Sequence, residues 1–213
     1  GKLYTTPMSE TDCSIKAVGI CPKHGEAFIT AGMVQYNACT GSFAESGITY
    51  NGSMNVLKNV LGNEYLWNNV RVKGGAYGCM SGFGRDGDCY MVSYLDPKLV
   101  ETNEVYDKLP EYLEQFDQDE RSMDRYVIGA ISEMDIPKNP AALGVRGLTA
   151  YLSGITREQL QKERDEVIDT DAKEIRALVP YAKAVLSNNC LCVVGNENKI
   201  KENSSLFTTV RSL

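Results

Sequence analysis

The chain changes its hydrophobic period abruptly at residues 73–76, and this change constrains its fold more than any other feature. From Ser53 to about Val72, apolar residues recur every three or four positions, which is the spacing of an amphipathic helix. The pattern stops at two adjacent glycines, Gly74 and Gly75, which tolerate the backbone conformations that end helices. Strand-like segments follow at once. The sequence therefore predicts a long helix, a sharp turn and a sheet in direct succession.

A hairpin is predicted directly after this turn. Residues 77–83 and 89–94 are strand-like, and the Gly- and Asp-rich residues 84–88 between them favour a hairpin turn. Other strands are predicted at 13–20, 27–38 and 191–194, with a turn at 22–25 and a loop at 40–50.

The second half of the chain is mostly helical in pattern. Asp96 and Pro97 suit the N-cap and first position of a helix that runs to about residue 116. Thr156 and Gln159 have the spacing of a capping box for a helix at 157–168. Further helices are predicted at 121–134, at 141–152 and, after a second such pair at 171 and 174, up to about 187. The polar tail after Gly195 is expected to be loose.

Nothing in the sequence divides the chain into separate units. It contains no internal repeat, low-complexity tract or Pro/Ser-rich linker, and its 213 residues, 43% of them hydrophobic, suffice for one buried core. The order of elements predicts an α+β fold, with an antiparallel-rich sheet and helices on one face. We expect a single domain over residues 1–213. Gly1 is not a natural first residue, so we also expect a longer, processed or truncated parent protein.

Charge and cysteine content limit the partners and the compartment. The net charge of −6 disfavours nucleic acid, because phosphate binding requires clustered Lys and Arg. No apolar stretch is long enough to span a bilayer, and no signal peptide opens the chain. Seven cysteines without a secretory signal indicate reduced thiols. We therefore expect a cytoplasmic or organelle-matrix protein that is not secreted and binds neither nucleic acid nor a membrane.

Metal ligands are too few to predict a zinc site. The chain has one histidine, His24, whereas the helix motifs of zinc proteases need two on one helical face. The segments 21–24 and 190–192 resemble fragments of metal sites, but nothing completes either of them to a zinc ligand set. No nucleophile motif accompanies His24. We therefore expect His24 to be a solvated loop residue and no residue of this chain to bind metal.

The turn after the long helix is the best candidate for a functional site. It places Arg71 at a helix end and Tyr77 at a strand start, joined through Gly74 and Gly75. A guanidinium and a phenol at one opening would offer a cationic fork and a neutral O–H donor, which suit a peptide carbonyl or a developing oxyanion. The alternative is a capped helix end, with Arg71 on the last carbonyls and Tyr77 in the core. Spacing alone leaves both interpretations open.

The run from Tyr65 to Gly78 resembles the most recognisable stretch of the presequence-protease branch of the insulinase (inverzincin) family. Relatives usually carry Arg where this chain has Leu95. Other segments agree in order with that family; they are 34–36, 93–97, 128–129, 134–137, 151–156, Arg164 and 193–195. The resemblance covers nearly the whole chain, and it implies the two-layer α+β sandwich of that family's repeated domains.

The resemblance also implies roles for individual residues. In that family, two homologous halves close around a peptide, and the N-terminal half binds zinc through an inverted motif of two His and a Glu, with a distal Glu ligand. The Glu of the inverted motif is the base, and zinc is held by the two His and the distal Glu. The C-terminal half supplies an Arg and a Tyr near the scissile bond. By match to the motif, Arg71 and Tyr77 are the catalytic candidates, and Gly74, Gly75 and Ala76 are the substrate-binding candidates. Zinc is expected in the N-terminal half of the full-length enzyme and not in this chain, which alone is expected to be inactive.

The function that follows is that of the C-terminal domain of a zinc metalloendopeptidase that degrades short unfolded peptides, such as cleaved targeting sequences. Its expected partners are the zinc-bearing N-terminal half and those peptides. The alternative is a non-catalytic peptide-binding or scaffold module that retains the fold. A third possibility is an α+β domain whose Gly-Gly turn is architectural only. A His-x-x-Glu-His motif upstream would distinguish the enzyme from the non-catalytic module.

Overall fold

The structure, a computed structural model, describes residues 25–213. Strands from both ends of this range and from its middle join in one six-stranded sheet. They are β1 (Glu26–Thr30), β2 (Gln35–Ser42), β3 (Gly78–Phe83), β4 (Asp88–Asp96), β5 (Cys190–Asn196) and β6 (Thr209–Ser212). Short 3-10 turns lie at Ala44–Ser46 and Ser204–Leu206.

Helices occupy most of the chain between β4 and β5. They are α2 (Val100–Asp107), α3 (Leu109–Glu114), α4 (Glu120–Met134), α5 (Pro140–Leu152), α6 (Arg157–Ile168), α7 (Ala172–Ala177) and α8 (Val179–Ser187), and α9 (Glu197–Glu202) follows β5. Helix α1 (Ser53–Val60) precedes β3 and continues without a break into two stretches of π geometry, Leu61–Tyr65 and Trp67–Val72. We call the whole of 53–72 the long helix, and its predicted extent is confirmed. In residues 25–213, no helix has the length and apolar content that crossing a bilayer requires.

The sheet is mixed but mainly antiparallel. Its strand order is β3-β4-β2-β5-β1-β6. The pairs β3–β4, β4–β2 and β2–β5 are antiparallel, whereas β5–β1 and β1–β6 are parallel. The predicted α+β class with an antiparallel-rich sheet is therefore confirmed.

The core lies between the helices and one face of the sheet. Leu57 of the long helix and Met91 of β4 belong to one buried cluster. Successive residues of a strand face opposite sides, so Tyr90 beside Met91 points the other way and is 42% exposed. Tyr36 on β2 and Met80 on β3 are exposed to a similar degree. The face away from the helices is therefore open along β2, β3 and β4.

The predicted strand at 27–38 is wrong in one respect, because it consists of two strands. Strands β1 and β2 are separated by residues 31–34, and β5 lies between them in the sheet. The Oγ1 of Thr30 accepts the Gly32 N–H at 3.3 Å where the chain leaves β1. Hydrophobic alternation continues across the break and does not reveal it. The strand predicted at 13–20 and most of the turn at 22–25 lie outside the described residues.

Asp96 does not begin a helix, contrary to the sequence prediction. It is the last residue of β4, and α2 starts four residues later. Its Oδ1 accepts the Lys98 N–H at 2.9 Å, so the carboxylate does bond a nearby backbone N–H, but within a turn. Two of the predicted helices are each split in two, with Pro110 and Pro180 near the starts of α3 and α8. Proline lacks the N–H that would continue a helix.

The predictions for local turns agree better with the structure. Thr156 and Gln159 form both hydrogen bonds of the capping box, at 2.8 and 3.2 Å. The side chain of Asp171 accepts the Glu174 N–H at 2.8 Å. The hairpin between β3 and β4 is also confirmed, with its turn at residues 84–87.

The tail after Gly195 is not loose, and this prediction is wrong. It forms α9 and then β6, which pairs in parallel with β1 from Thr209 to Ser212. Its strand is short and largely exposed, so it carries almost no hydrophobic pattern. The pairing depends on a strand more than 180 residues earlier, which local sequence does not indicate.

Candidate functional site

The candidate site begins where the long helix ends. Its last two turns have π geometry, in which each N–H bonds to the carbonyl five residues earlier. The Lys73 N–H, for example, donates to the Asn68 carbonyl at 3.0 Å. Such wider turns are uncommon in helices and are frequent at functional sites. The π turns therefore single out the C-terminal end of the long helix as a candidate functional site.

Arg71 lies in the last π turn and stacks on Trp67. The guanidinium carbon of Arg71 is 4.0 Å from the centroid of the Trp67 ring. A contact of this kind is worth about 0.5–2 kcal/mol, depending on how far it is shielded from water. Across residues 25–213, no hydrogen bond or ion pair engages the Arg71 guanidinium. Its N–H donors are therefore held in place by the ring and left available to another molecule.

The turn that follows requires both glycines. A Cβ on Gly74 would lie 2.2 Å from the Val70 carbonyl oxygen, and Gly75 has a φ of +86°. The N–H groups of Gly75 and Ala76 donate to the carbonyls of Arg71 and Val70, at 2.9 and 3.2 Å. These bonds close the helix end without any side chain of Arg71. Ala76 is only 4% exposed, so any contact between this residue and a peptide would involve its backbone.

Tyr77 emerges from the turn into solvent. It is 65% exposed, and its N–H donates to the Leu95 carbonyl at 3.3 Å. The Tyr77 ring lies 5.7 Å from the Tyr94 ring, centroid to centroid, at an interplanar angle of 59°. The Tyr94 ring in turn covers Gly78, where a Cβ would come within 2.4 Å of it. The alternative of a capped helix end with Tyr77 in the core is therefore wrong.

The charge of Arg71 acts on the start of β3. Burial raises the pKa of the Cys79 thiol, and the positive charge of Arg71 partly offsets that rise. Cys79 is two residues beyond Tyr77 in the chain. The segment from Arg71 to Tyr77 therefore carries a guanidinium with no hydrogen-bonding partner among residues 25–213 and an exposed phenol.

Two clefts among the described residues lie away from this turn. One of about 650 Å³ separates the 84–86 turn from α6, and another of about 480 Å³ lies between α4, α5 and α6. Neither includes Arg71 or Tyr77. The candidate site is therefore an open surface at the edge of the sheet, of the kind that another protein surface could cover.

Three residues of this region were missed by the sequence analysis. Trp67 and Tyr94 were not singled out as site residues, and Asp96 was assigned to a helix start. The spacing of Trp67 and Arg71, four residues apart in a helical pattern, would have indicated the stacking. Nothing in the local sequence indicates that Tyr94 folds over Gly78.

The described residues include no group of three or more His, Cys, Asp and Glu side chains placed to hold a metal ion. His24 lies outside those residues. The pKa of Cys39 and that of Cys89 are raised to about 12, chiefly by burial, so both thiols stay protonated at neutral pH.

The chain is similar in sequence to known proteins. The profile of a protein family described as PreP C-terminal domain matches residues 25–195. Protein HypA of Clostridium perfringens is 46% identical over 191 residues, which cover 90% of this chain and 20% of HypA. Presequence protease 1, chloroplastic/mitochondrial, of Arabidopsis thaliana is 30% identical over 200 residues, covering 92% of this chain and 18% of that protein. The chain thus spans about a fifth of the length of these relatives.

Solved structures share the fold at low sequence identity. The peptidase M16 inactive domain from Pseudomonas fluorescens aligns with a TM-score of 0.55 and 17% identity, over 81% of this chain and 42% of that one. Pitrilysin aligns with a TM-score of 0.53 and 11% identity, over 81% of this chain and 19% of that one. The family profile covers most of the chain, and relatives such as the Arabidopsis thaliana protein are named presequence proteases, so the chain belongs to the PreP C-terminal domain family of the presequence-type proteases.

Proposed function

We propose that this chain, over residues 1–213, is the C-terminal, non-zinc-binding domain of a zinc-dependent oligopeptidase. In the proposed enzyme it closes over the N-terminal half, binds unfolded peptide and stabilises the oxyanion of peptide-bond hydrolysis. The zinc would be held by the N-terminal half, where it would activate the attacking water. The chain alone would be inactive.

One observation carries the proposal. The Arg71 guanidinium is stacked on Trp67 but has no hydrogen-bonding partner among residues 25–213, and the exposed Tyr77 lies on the same turn. Ordering the Arg71 side chain costs conformational entropy, and its contact with Trp67 offsets part of that cost before any peptide binds. A peptide carbonyl or carboxylate is the complement of such a fork.

Each residue of the turn has a proposed role. Tyr77 would donate its phenolic hydrogen to the carbonyl oxygen that becomes the oxyanion, and Arg71 would orient the peptide backbone or a carboxylate beside it. Gly74 and Gly75 would let a peptide approach the backbone closely, and Ala76 would contribute only backbone groups.

The proposed partners are the zinc-bearing N-terminal half and short unfolded peptides. The similarity to relatives about five times as long, one of them named a presequence protease, supports a further half of this kind. The proposed compartment is an organelle matrix or the cytoplasm. Relatives named as mitochondrial or chloroplastic presequence proteases support the first of these.

Tyr77→Phe tests the catalytic role directly. The change removes one hydroxyl and almost no volume, and losing an oxyanion donor lowers turnover by about 100- to 1000-fold. Peptide cleavage would be measured with the complete peptidase, together with the melting temperature. Tyr90→Phe, an exposed tyrosine on the same hairpin, is the matched control and should leave turnover unchanged. Near-normal cleavage by Tyr77→Phe would overturn the catalytic role of Tyr77.

Binding can be measured on this chain without the zinc-bearing half. Trp67 is its only tryptophan, and it lies beside Arg71, so its fluorescence reports on that site. Titration with an unfolded basic or neutral peptide should change the emission, and Arg71→Ala should abolish the saturable part of that change. Binding without any turnover by the complete protein would favour the non-catalytic module. If neither this chain nor the complete protein binds the peptide saturably, both the peptidase function and the non-catalytic peptide-binding function are contradicted.

A further inference from the structure

A buried carboxylate lies behind the candidate site. Asp96, at the end of β4, is fully buried, and its Oδ2 accepts hydrogen bonds from Ser93 Oγ at 2.6 Å, Thr102 Oγ1 at 2.7 Å and Asn37 Nδ2 at 3.2 Å. Its Oδ1 accepts the Lys98 N–H at 2.9 Å. No cationic side chain of residues 25–213 forms an ion pair with it. A buried carboxylate satisfied wholly by neutral donors is uncommon, since charged groups are rarely buried without an opposite charge.

The residue before Asp96 has an unusual backbone. Leu95 has a φ of +48°, a left-handed conformation that non-glycine residues seldom adopt. The register between β2 and β4 shifts at the same place: Gln35 pairs with Asp96, but Asn37 pairs with Ser93. β4 therefore carries one extra residue in a bulge, and bulges redirect the neighbouring backbone and side chains.

This bulge is joined directly to Tyr77. The Leu95 carbonyl accepts the Tyr77 N–H, and the Tyr94 ring packs beside the Tyr77 ring. The conformation of Leu95 therefore decides where that carbonyl points and where Tyr77 leaves the turn. A strained conformation persists only where the surrounding structure enforces it, and the hydrogen bonds of Asp96 lie one residue away.

We propose that Asp96 is a positioning residue for Tyr77, acting through the strained backbone of Leu95. It touches neither the peptide nor the exposed face of the site. Its four hydrogen bonds fix the end of β4, so that the Leu95 carbonyl holds the Tyr77 backbone and the phenol points into the site. This inference rests on the proposed oxyanion role of Tyr77.

Asp96→Asn is the first test, carried out in the complete peptidase. Asn is isosteric but presents N–H groups to donors that now bond a carboxylate, so the end of β4 should shift. Misplacing a catalytic group by about 1 Å can cost up to about 100-fold in rate. We expect kcat to fall about tenfold with KM changed less than about twofold, because Asp96 does not contact the peptide.

The same change in a Tyr77→Phe background separates positioning from general damage. If Asp96 acts through the Tyr77 hydroxyl, Asp96→Asn should lower kcat less than about twofold once that hydroxyl is absent. An equal loss of kcat in both backgrounds, or no loss in the first, would overturn the positioning role while leaving Tyr77 catalytic. If Tyr77→Phe alone has no effect on turnover, the proposed function and this inference both fail.

If Asp96→Asn does not fold, two smaller changes at Thr102 test the same inference. Thr102→Val removes one donor to Asp96, and Thr102→Ser retains it. Thr102→Val should lower kcat and speed hydrogen exchange at the Tyr77 amide. Thr102→Ser should leave both kcat and the exchange rate at the values of the unsubstituted protein. Equal kcat and equal Tyr77 exchange in the two variants would contradict the inference.

Discussion

Arg71 carries a charge that no acidic side chain of residues 25–213 neutralises, and it is oriented by an aromatic ring instead. Asp96 is the opposite case, a buried carboxylate satisfied by hydroxyl, amide and backbone donors. The two lie on opposite sides of Tyr77 in the chain, one in the helix before it and one at the end of the strand that pairs with β3. Single residues at this site are therefore positioned by packing and neutral hydrogen bonds, which leaves the Arg71 fork unpaired.

Arg71→Lys tests the value of the planar fork. Lysine keeps the charge but cannot stack flat on Trp67 or donate two parallel hydrogen bonds. We expect the KM for peptide to rise about tenfold, with a smaller fall in kcat, because the loss of a bidentate contact removes roughly 1–2 kcal/mol of binding. The Trp67 emission of this chain should also change as its ring is uncovered.

Arg121→Lys on α4 is the matched control for this prediction. It makes the same chemical change at an exposed position far along the chain and should alter neither KM nor Trp67 emission. If Arg71→Lys behaves like Arg121→Lys in both measurements, the stacked guanidinium does not bind the peptide.

At the scale of elements, the sequence predicted those features that depend on neighbouring residues. The extent of the long helix, the hairpin and the Thr156 capping box all follow from residues within a few positions of one another. Strand partners did not follow in this way. The insertion of β5 between β1 and β2 and the pairing of β6 depend on contacts between distant segments, and the short β6 has no pattern of its own.

The same division applies to the candidate site: its local features follow from the sequence, and those that depend on distant segments do not. The turn and the family resemblance predict Arg71 and Tyr77 as site residues; their roles stay a prediction, and the structure shows only that Tyr77 lies at the surface. The bulge at Leu95 was not predicted, because its left-handed backbone is imposed by the surrounding structure and not by a glycine or asparagine.

Three glycine-to-alanine variants test the end of the long helix. Gly74→Ala should lower the free energy of unfolding by about 2 kcal/mol or more, because its Cβ would collide with a backbone carbonyl. Gly75→Ala should cost about 1–2 kcal/mol, since alanine disfavours a φ of +86°. Gly62→Ala is the control: it is helical, has open space at its Cβ and should stabilise by about 0.5–1 kcal/mol. Urea unfolding measures all three, and equal effects would show that the turn does not require glycine.

At the scale of the whole molecule, the core contains thiols and phenols that resist ionisation. Burial is the main cause of the raised pKa of Cys39 and Cys89, to about 12 from an ordinary 9.0, and it also raises the pKa of Tyr65 and Tyr106. A raised pKa in the folded state adds stability that is fully present below the unfolded value and is lost as pH rises toward the folded value.

The free energy of unfolding should therefore be steady up to about pH 9 and decline as pH rises toward 12. Urea unfolding at successive pH values between 7 and 11 measures this. Replacing both Cys39 and Cys89 with alanine lowers stability at every pH because cavities form, but it should make the alkaline decline shallower. A decline equally steep in that variant would mean that these two thiols do not cause it.

The position of β1 also affects the order in which the protein folds during synthesis. β1 lies between β5 and β6, and its Thr30 hydroxyl donates to the Gly195 carbonyl, 165 residues later. A ribosome therefore completes the helical region long before β1 has a neighbouring strand on either side. Until residues 190–212 emerge, both backbone edges of β1 lack their partners, and such edges attract other strands. Contacts of this separation slow folding, so the nascent chain is exposed to aggregation through the edges of β1 until residues 190–212 have been synthesised.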